Sequence, residues 1–316
     1  MFDMVSRRGF VSLSAVAAAG LGLAGCSDTS AEADKGSATG SSKGSEDTEA
    51  STTLDAKAFD KLVNDGPKAD DDAIAASTWA TAVKDAGVFK IGGVQTSTLF
   101  SLLNEKDGQT RGFDAGIAQL LSNYILGENK VEITQVTSDT RESVLQNGQV
   151  DAVFATYTIT DERKKLVSFA GPYYYTQQAI LVLADNDDIK SFEDLAGKTT
   201  ANSLASTYME LAESYGATVQ GIDTLEETIQ LLAAGRIDAT LNANVSFYDY
   251  LNVHPDADFK LVAQTEDASH VAIPIVKSED SSFLDALNSA IDELRADGTL
   301  KELGEKYFGQ DISSEN

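Results

Sequence analysis

Apolar and polar positions alternate along this chain in two periods that take turns. Residues 131–136, Val-Glu-Ile-Thr-Gln-Val, alternate one by one and predict a strand, whereas Ile117, Leu120, Leu121, Tyr124 and Ile125 recur at helical spacing behind Gly112-Phe113-Asp114. Thr224-Leu225-Glu226-Glu227 has the form of a capping box and opens a helix that should bury Ile229 and Leu232. Phe283, Leu287, Ile291 and Leu294 predict another helix, stopped at Gly298. Strands and helices in turn imply an α/β protein. An internal echo adds to this: Leu145-Gln146-Asn147-Gly148-Gln149-Val150-Asp151-Ala152 matches Leu232-Ala233-Ala234-Gly235-Arg236-Ile237-Asp238-Ala239 at Leu, Gly, Asp and Ala. Each unit reads as a helix that ends at a glycine and turns into a buried strand, which predicts two lobes built alike. The strands run into polar loops, Thr156-Tyr157-Thr158 and Asn242-Ala243-Asn244. Ligands of open α/β sheets sit at the carboxyl ends of strands, so both loops are expected to line a cleft between the lobes, although ordinary solvated turns have the same composition.

The pattern changes at the amino-terminal end. Arg7 and Arg8 precede an uncharged apolar stretch, residues 10–24, broken by Ser12, Ser14, Gly20 and Gly22. A spanning helix needs roughly 20 apolar residues, so this shorter stretch reads as an export signal over residues 1–25. The run Leu23-Ala24-Gly25-Cys26 closes it with the sole cysteine of the chain. It resembles the lipobox of bacterial lipoproteins, which implies that Cys26 carries the lipid and becomes the mature terminus. Ser6-Arg7-Arg8-Gly9-Phe10-Val11 also resembles a twin-arginine signal. Residues 27–53 hold no Val, Ile, Leu, Met or aromatic side chain, so they cannot offset their ordering entropy by burial. With Cys26 they read as a tether whose mean reach is on the order of 30 Å.

Charge narrows the function. With 24 basic against 50 acidic residues the net charge is −26, which excludes nucleic acid as a natural partner and repels anions at long range. Any anion site must therefore be local and built from particular arginines. One cysteine and two histidines leave no disulfide and no zinc signature.

A denser set of motifs spans residues 91–309. These are Gly112-Phe113-Asp114, the run Asp151-Ala152-Val153-Phe154-Ala155-Thr156-Tyr157-Thr158-Ile159-Thr160-Asp161-Glu162-Arg163-Lys164, then Phe169-Ala170-Gly171-Pro172-Tyr173-Tyr174, Asp194-Leu195-Ala196-Gly197-Lys198, and the closing Asp297-Gly298-Thr299-Leu300 with Lys306-Tyr307-Phe308-Gly309. In these the chain resembles the family 3 extracellular solute-binding proteins, the amino-acid receptors of ABC importers. The resemblance implies a two-lobe, type II periplasmic-binding-protein-like fold with a hinge and an inter-lobe cleft. It places lobe 1 at residues 89–180 plus 270–316 and lobe 2 at 181–269, joined by extended crossings near 178–184 and 268–274. Residues 54–88 are expected to form a helical extension ahead of it.

The same resemblance assigns roles. Arg163 would grip the ligand α-carboxylate, with Thr156 and Thr158 as backbone and hydroxyl partners; a guanidinium matches a carboxylate with two parallel bonds. On residues alone, Glu162-Arg163-Lys164-Lys165 reads equally as a solvated helix start. Ala205-Ser206-Thr207 stands where relatives have Gly-Ser-Thr at a helix start, so Ser206 and Thr207 would form an anion site, or Ser206 a plain N-cap. Phe100 would cover the ligand. Relatives place an aspartate for the ligand ammonium where this chain has Ala243, which leaves the side-chain oxygens of Asn242 and Asn244, or of Asp249 if the helix start folds inward, as the expected acceptors there. Arg141 starts the helix of the first echo unit, where glutamate and aspartate receptors of the family have an arginine for the side-chain carboxylate; a solvated surface arginine is the other reading.

The expected function is a lipid-anchored receptor on the extracytoplasmic face of the cell membrane, held through Cys26. It would act as a monomer without cofactor or metal, binding a polar amino acid, glutamate or aspartate by preference, and delivering it to an ABC permease. Cystine is the alternative ligand. A dehydratase or peptidoglycan-cleaving enzyme of this fold would need a carboxylate or histidine poised in the cleft, and the matched positions are Thr, Arg, Ser and Asn. A sensor would need a membrane-spanning segment leading to a signalling domain, which is not expected here.

Overall fold

The computed structural model describes residues 55–315; the expected signal, Cys26 and the tether lie outside the described residues. Three short helices come first, α1 (Ala56–Asn64), α2 (Asp71–Ala75) and α3 (Thr78–Ala86). Each is opened by a capping side chain: Asp55, Asp70 and Ser77 accept main-chain N–H bonds that would otherwise go unmet. Their apolar faces put Phe59, Val63, Ile74, Ala80 and Val83 into the same core as the strands that follow. Arg111 adds a two-pronged ion pair to Asp60 of α1, both bonds at 2.9 Å.

The first lobe proper runs through β1 (Phe89–Gly93), a small sheet of β2 (Thr96–Ser97), β3 (Ser101–Asn104) and β4 (Gln109–Arg111), then α4 (Phe113–Leu126), β5 (Val131–Gln135), α5 (Arg141–Gln146), β6 (Ala152–Phe154), α6 (Asp161–Leu166) and β7 (Val167–Thr176). β1 lies between β5 and β6, all parallel, with Ile91 opposite both Ile133 and Ala152. α4 is buried around nearly its whole circumference, which explains why its apolar residues exceed one face. It starts at Gly112, whose φ of 144° suits glycine and where a Cβ would run into the Phe100 carbonyl.

The second lobe holds β8 (Gln178–Leu183), β9 (Thr199–Ser203), α7 (Thr207–Ser214), β10 (Thr218–Ile222), α8 (Leu225–Ala233), β11 (Thr240–Ala243), α9 (Asn244–Val253) and β12 (Phe259–Gln264). β10 runs parallel to β9, β8 is antiparallel to both β11 and β12, and an isolated Thr200–Ala239 bridge links the two groups. Half of the expected capping box forms: Thr224 Oγ1 accepts from the Glu227 N–H at 3.2 Å, while the Glu227 carboxylate accepts from the Thr224 hydroxyl at 3.0 Å. Gly148 (φ 66°) and Gly235 (φ 62°) end the paired helices α5 and α8, and strands β6 and β11 follow.

The chain then returns to the first lobe with β13 (Ser269–Val276), antiparallel to β7, and helices α10 (Ser282–Ala296) and α11 (Thr299–Phe308), which bury Phe283, Leu287, Leu300 and Leu303 in its core. The crossings are shorter than expected. Gln178–Leu183 is paired on both edges within the second lobe, so Gln177 alone leads into it, and residues 265–268 lead back. The expected border between residues 180 and 181 thus falls inside β8, because strand pairing keeps that segment whole. No helix among the described residues is long and apolar enough to cross a membrane.

Candidate ligand-binding cleft

The loop after β6 is shaped from below. Asp114, in the first turn of α4, is buried and accepts the Tyr173 hydroxyl at 2.9 Å and a main-chain bond from Thr156. Burial pushes its carboxyl up to about 7. Held this way, Thr156 adopts φ 50°, an unusual conformation for a β-branched residue.

Two arginines from the flanking helices converge on that loop. Arg141, at the start of α5, is 3 % exposed; its Nη1 donates to the Ala155 carbonyl at 2.5 Å and the Thr156 carbonyl at 3.4 Å, while its buried Nε has no partner among the described residues. Burial, and then the charge of Arg163, pull its pKa down to about 10. Thr160 caps α6 by accepting from the Arg163 N–H at 3.2 Å and so aims the arginine outward from the first turn. The half-buried Arg163 donates through Nη1 to the Thr158 carbonyl at 2.8 Å and through Nη2 to the Ala205 carbonyl of the second lobe at 3.1 Å. Burial lowers its pKa as well. One guanidinium therefore touches both lobes, and a second lies behind it.

The second lobe meets them with the start of α7. Ala205 has φ 53°, a conformation that favours glycine, in keeping with the glycine that relatives were expected to have there. Ser206 is the N-cap residue, but its hydroxyl donates to the Ser203 carbonyl at 2.5 Å and makes no cap bond. Thr207 lines an open cavity of about 830 Å³ with Thr158, Thr160, Lys164, Gln178 and His270. Next to it, the Tyr208 ring packs on the cores of both lobes, and its hydroxyl meets the Ala243 N–H within electrostatic range of Arg141 and Arg163.

Arg141, Arg163, Thr156, Thr158, Ser206 and Thr207 thus lie around one inter-lobe region. Three expected residues do not join them. Phe100 is buried in the first-lobe core, its ring 4.9 Å from Phe308 and 6.0 Å from Tyr174, because the β2–β4 sheet turns it inward. Asn244 is tied into the crossings: it accepts from Thr176 Oγ1 at 2.8 Å and donates to Gln177 and Gln264 at 3.3 Å. Asn242 turns its Oδ1 back to the Ala243 N–H at 2.8 Å.

Residue patterns gave no role to four further participants. Tyr157 lies under both guanidinium groups, and Tyr208 sits one position past Ser206-Thr207. Tyr174 buries a hydroxyl without a partner among the described residues, close enough to Arg141 for the arginine's charge to act on it. Gln178 stands directly across the strand pair from Ala243, and its buried Oε1 has no donor among the described residues. An acceptor so placed suits an ammonium group. No cluster of His, Cys, Asp and Glu among the described residues would hold a metal ion.

Comparisons with known proteins bear on the family and the fold. The sequence profile of the bacterial extracellular solute-binding proteins, family 3, matches residues 89–310. The glutamate-binding protein GluB of Corynebacterium efficiens is 31 % identical over 222 residues, covering 66 % of this chain and 75 % of that one. The L-cystine-binding protein TcyA of Bacillus subtilis is 28 % identical over 235 residues, covering 74 % and 86 %. Among solved structures, an ancestral arginine-binding protein bound to glutamine superposes with a TM-score of 0.65 at 36 % identity, over 71 % of this chain and 99 % of that one.

Proposed function

Because the chain belongs to the bacterial extracellular solute-binding proteins, family 3, and carries two arginines in its cleft, we propose that it is a receptor for an acidic amino acid, glutamate or aspartate, which it passes to an ABC permease. The observation that supports this reading is the buried Nε of Arg141, a charged donor without a partner among the described residues, beside a second guanidinium at Arg163. Leaving such a donor unpaired is costly, and a ligand carboxylate would pair it. Arg163 takes the α-carboxylate and Arg141 the side-chain carboxylate. With a net charge of −26 around the site, two cations held this close suit a ligand that brings two anionic groups. Cystine has two carboxylates as well, and the likeness to TcyA keeps it as the second reading.

Arg141→Leu tests the assignment. It should cut the preference for glutamate over glutamine from at least about tenfold to within about threefold while binding persists, as read by titration calorimetry. Equal weakening of both ligands would make Arg141 a strut for the Ala155 and Thr156 carbonyls instead.

The receptor would be anchored by the lipidated Cys26 on the outer face of the cell membrane and work as a monomer. Two acyl chains give stable attachment where one is marginal. Cys26→Ala should therefore shift the protein from the membrane fraction to the soluble one. Retention with the membranes would contradict the anchor.

A further inference from the structure

The sequence places Tyr157 in a loop expected to line the cleft but assigns it no role, yet both arginines rest on it. Its ring centroid lies 4.2 Å from Arg141 Cζ and 4.4 Å from Arg163 Cζ. Two guanidinium groups this near to one ring repel each other, and the charge of Arg163 accordingly weakens the hold of Arg141 on its proton. An aromatic face offsets part of that repulsion, since each cation over a ring is worth roughly twofold to thirtyfold in equilibrium terms. The hydroxyl does a second job. It donates to Glu142 Oε2 at 3.0 Å, and Glu142 follows Arg141 on α5, so the ring is fixed to the same helix that supplies one of the two cations. Phe169, 5.6 Å away edge to face, closes the ring's other contact.

We propose that Tyr157, fixed by Glu142, is a positioning residue that spaces the two guanidinium groups for a ligand with two carboxylates. The idea rests on the acidic-ligand reading above and extends it: discrimination between glutamate and glutamine would depend on a residue that need not touch the ligand. A tyrosine that merely fills the core would, on removal, lower stability or weaken all ligands alike. A spacer instead affects the ligand that needs both cations at once.

The test uses the full chain with L-glutamate and L-glutamine as probes, giving dissociation constants by calorimetry and a thermal midpoint for each variant. Tyr157→Leu should weaken glutamate at least about tenfold more than glutamine. Tyr157→Phe keeps the ring and loses the bond to Glu142; it should fold normally and lower the glutamate-to-glutamine preference about threefold. An unchanged preference in Tyr157→Phe, or an equal loss for both ligands in Tyr157→Leu with its thermal transition intact, would overturn the spacer. A wild-type protein that does not prefer glutamate would remove the acidic-ligand reading and the spacer with it. A wild-type preference that survives both substitutions would remove the spacer alone.

Discussion

Replacing Arg163 with alanine is expected to abolish most ligand binding while leaving the fold in place. Its guanidinium holds the Thr158 carbonyl in one lobe and the Ala205 carbonyl in the other, so it stands at the closing point of the cleft. Removing one partner of a buried, hydrogen-bonded charge pair costs about 2–5 kcal/mol, or about thirtyfold to several thousandfold in affinity. The helix does not need the side chain, because α6 is capped by Thr160 through the Arg163 main chain and buries none of its residues. Calorimetry should show the loss, and circular dichroism should show an unchanged fold. A dissociation constant that does not move would take Arg163 out of the site.

Phe59→Ala is expected to destabilise the protein by about 3–5 kcal/mol, the usual cost of emptying a large buried aromatic site. Phe59 is fully buried although it precedes the residues that match the family. It sits on α4 at Gly116, where a Cβ would come within 3.1 Å of its ring, and it meets Tyr307 edge to face at 6.5 Å. The space was shaped for it, and neither neighbour can collapse into the gap without shifting a main helix. Denaturant unfolding followed by fluorescence would measure the change. A loss below about 1 kcal/mol would mean that α1 rests loosely on the first lobe.

Much of this architecture was legible before any coordinates. The spacing of Ile117, Leu120, Leu121 and Ile125 marked α4, the capping box at Thr224 marked α8, and the echo around Gly148 and Gly235 marked the repeated helix-to-strand turn; these are local signals, set by short-range geometry. What was not legible depends on long-range packing. Periodicity reports that Phe100 is apolar, not that the β2–β4 sheet turns it towards Phe308 and away from a ligand. Composition reports that Asn244 can donate and accept, not that Thr176, Gln177 and Gln264 take up both functions. The left-handed conformations at Thr156 and Ala205 also leave no trace in residue type, since threonine and alanine ordinarily avoid them. They follow from bonds made elsewhere, to Asp114 in the first case.

The arginines illustrate both sides. Their positions on α5 and α6 could be inferred from motifs, but that they share one aromatic ring could not, because Tyr157 between two threonines carries no pattern of its own. The two charges could thus be anticipated from motifs, whereas their shared contact with one ring could not.

Whether the cleft is built for an acidic amino acid is decided by a titration of the full-length, wild-type protein with L-glutamate and L-glutamine under identical conditions. These ligands differ only by the carboxylate that Arg141 is held to receive. Glutamate is expected to bind at least about tenfold more tightly, equivalent to about 1.4 kcal/mol. Equal affinity, or tighter binding of glutamine, would contradict it.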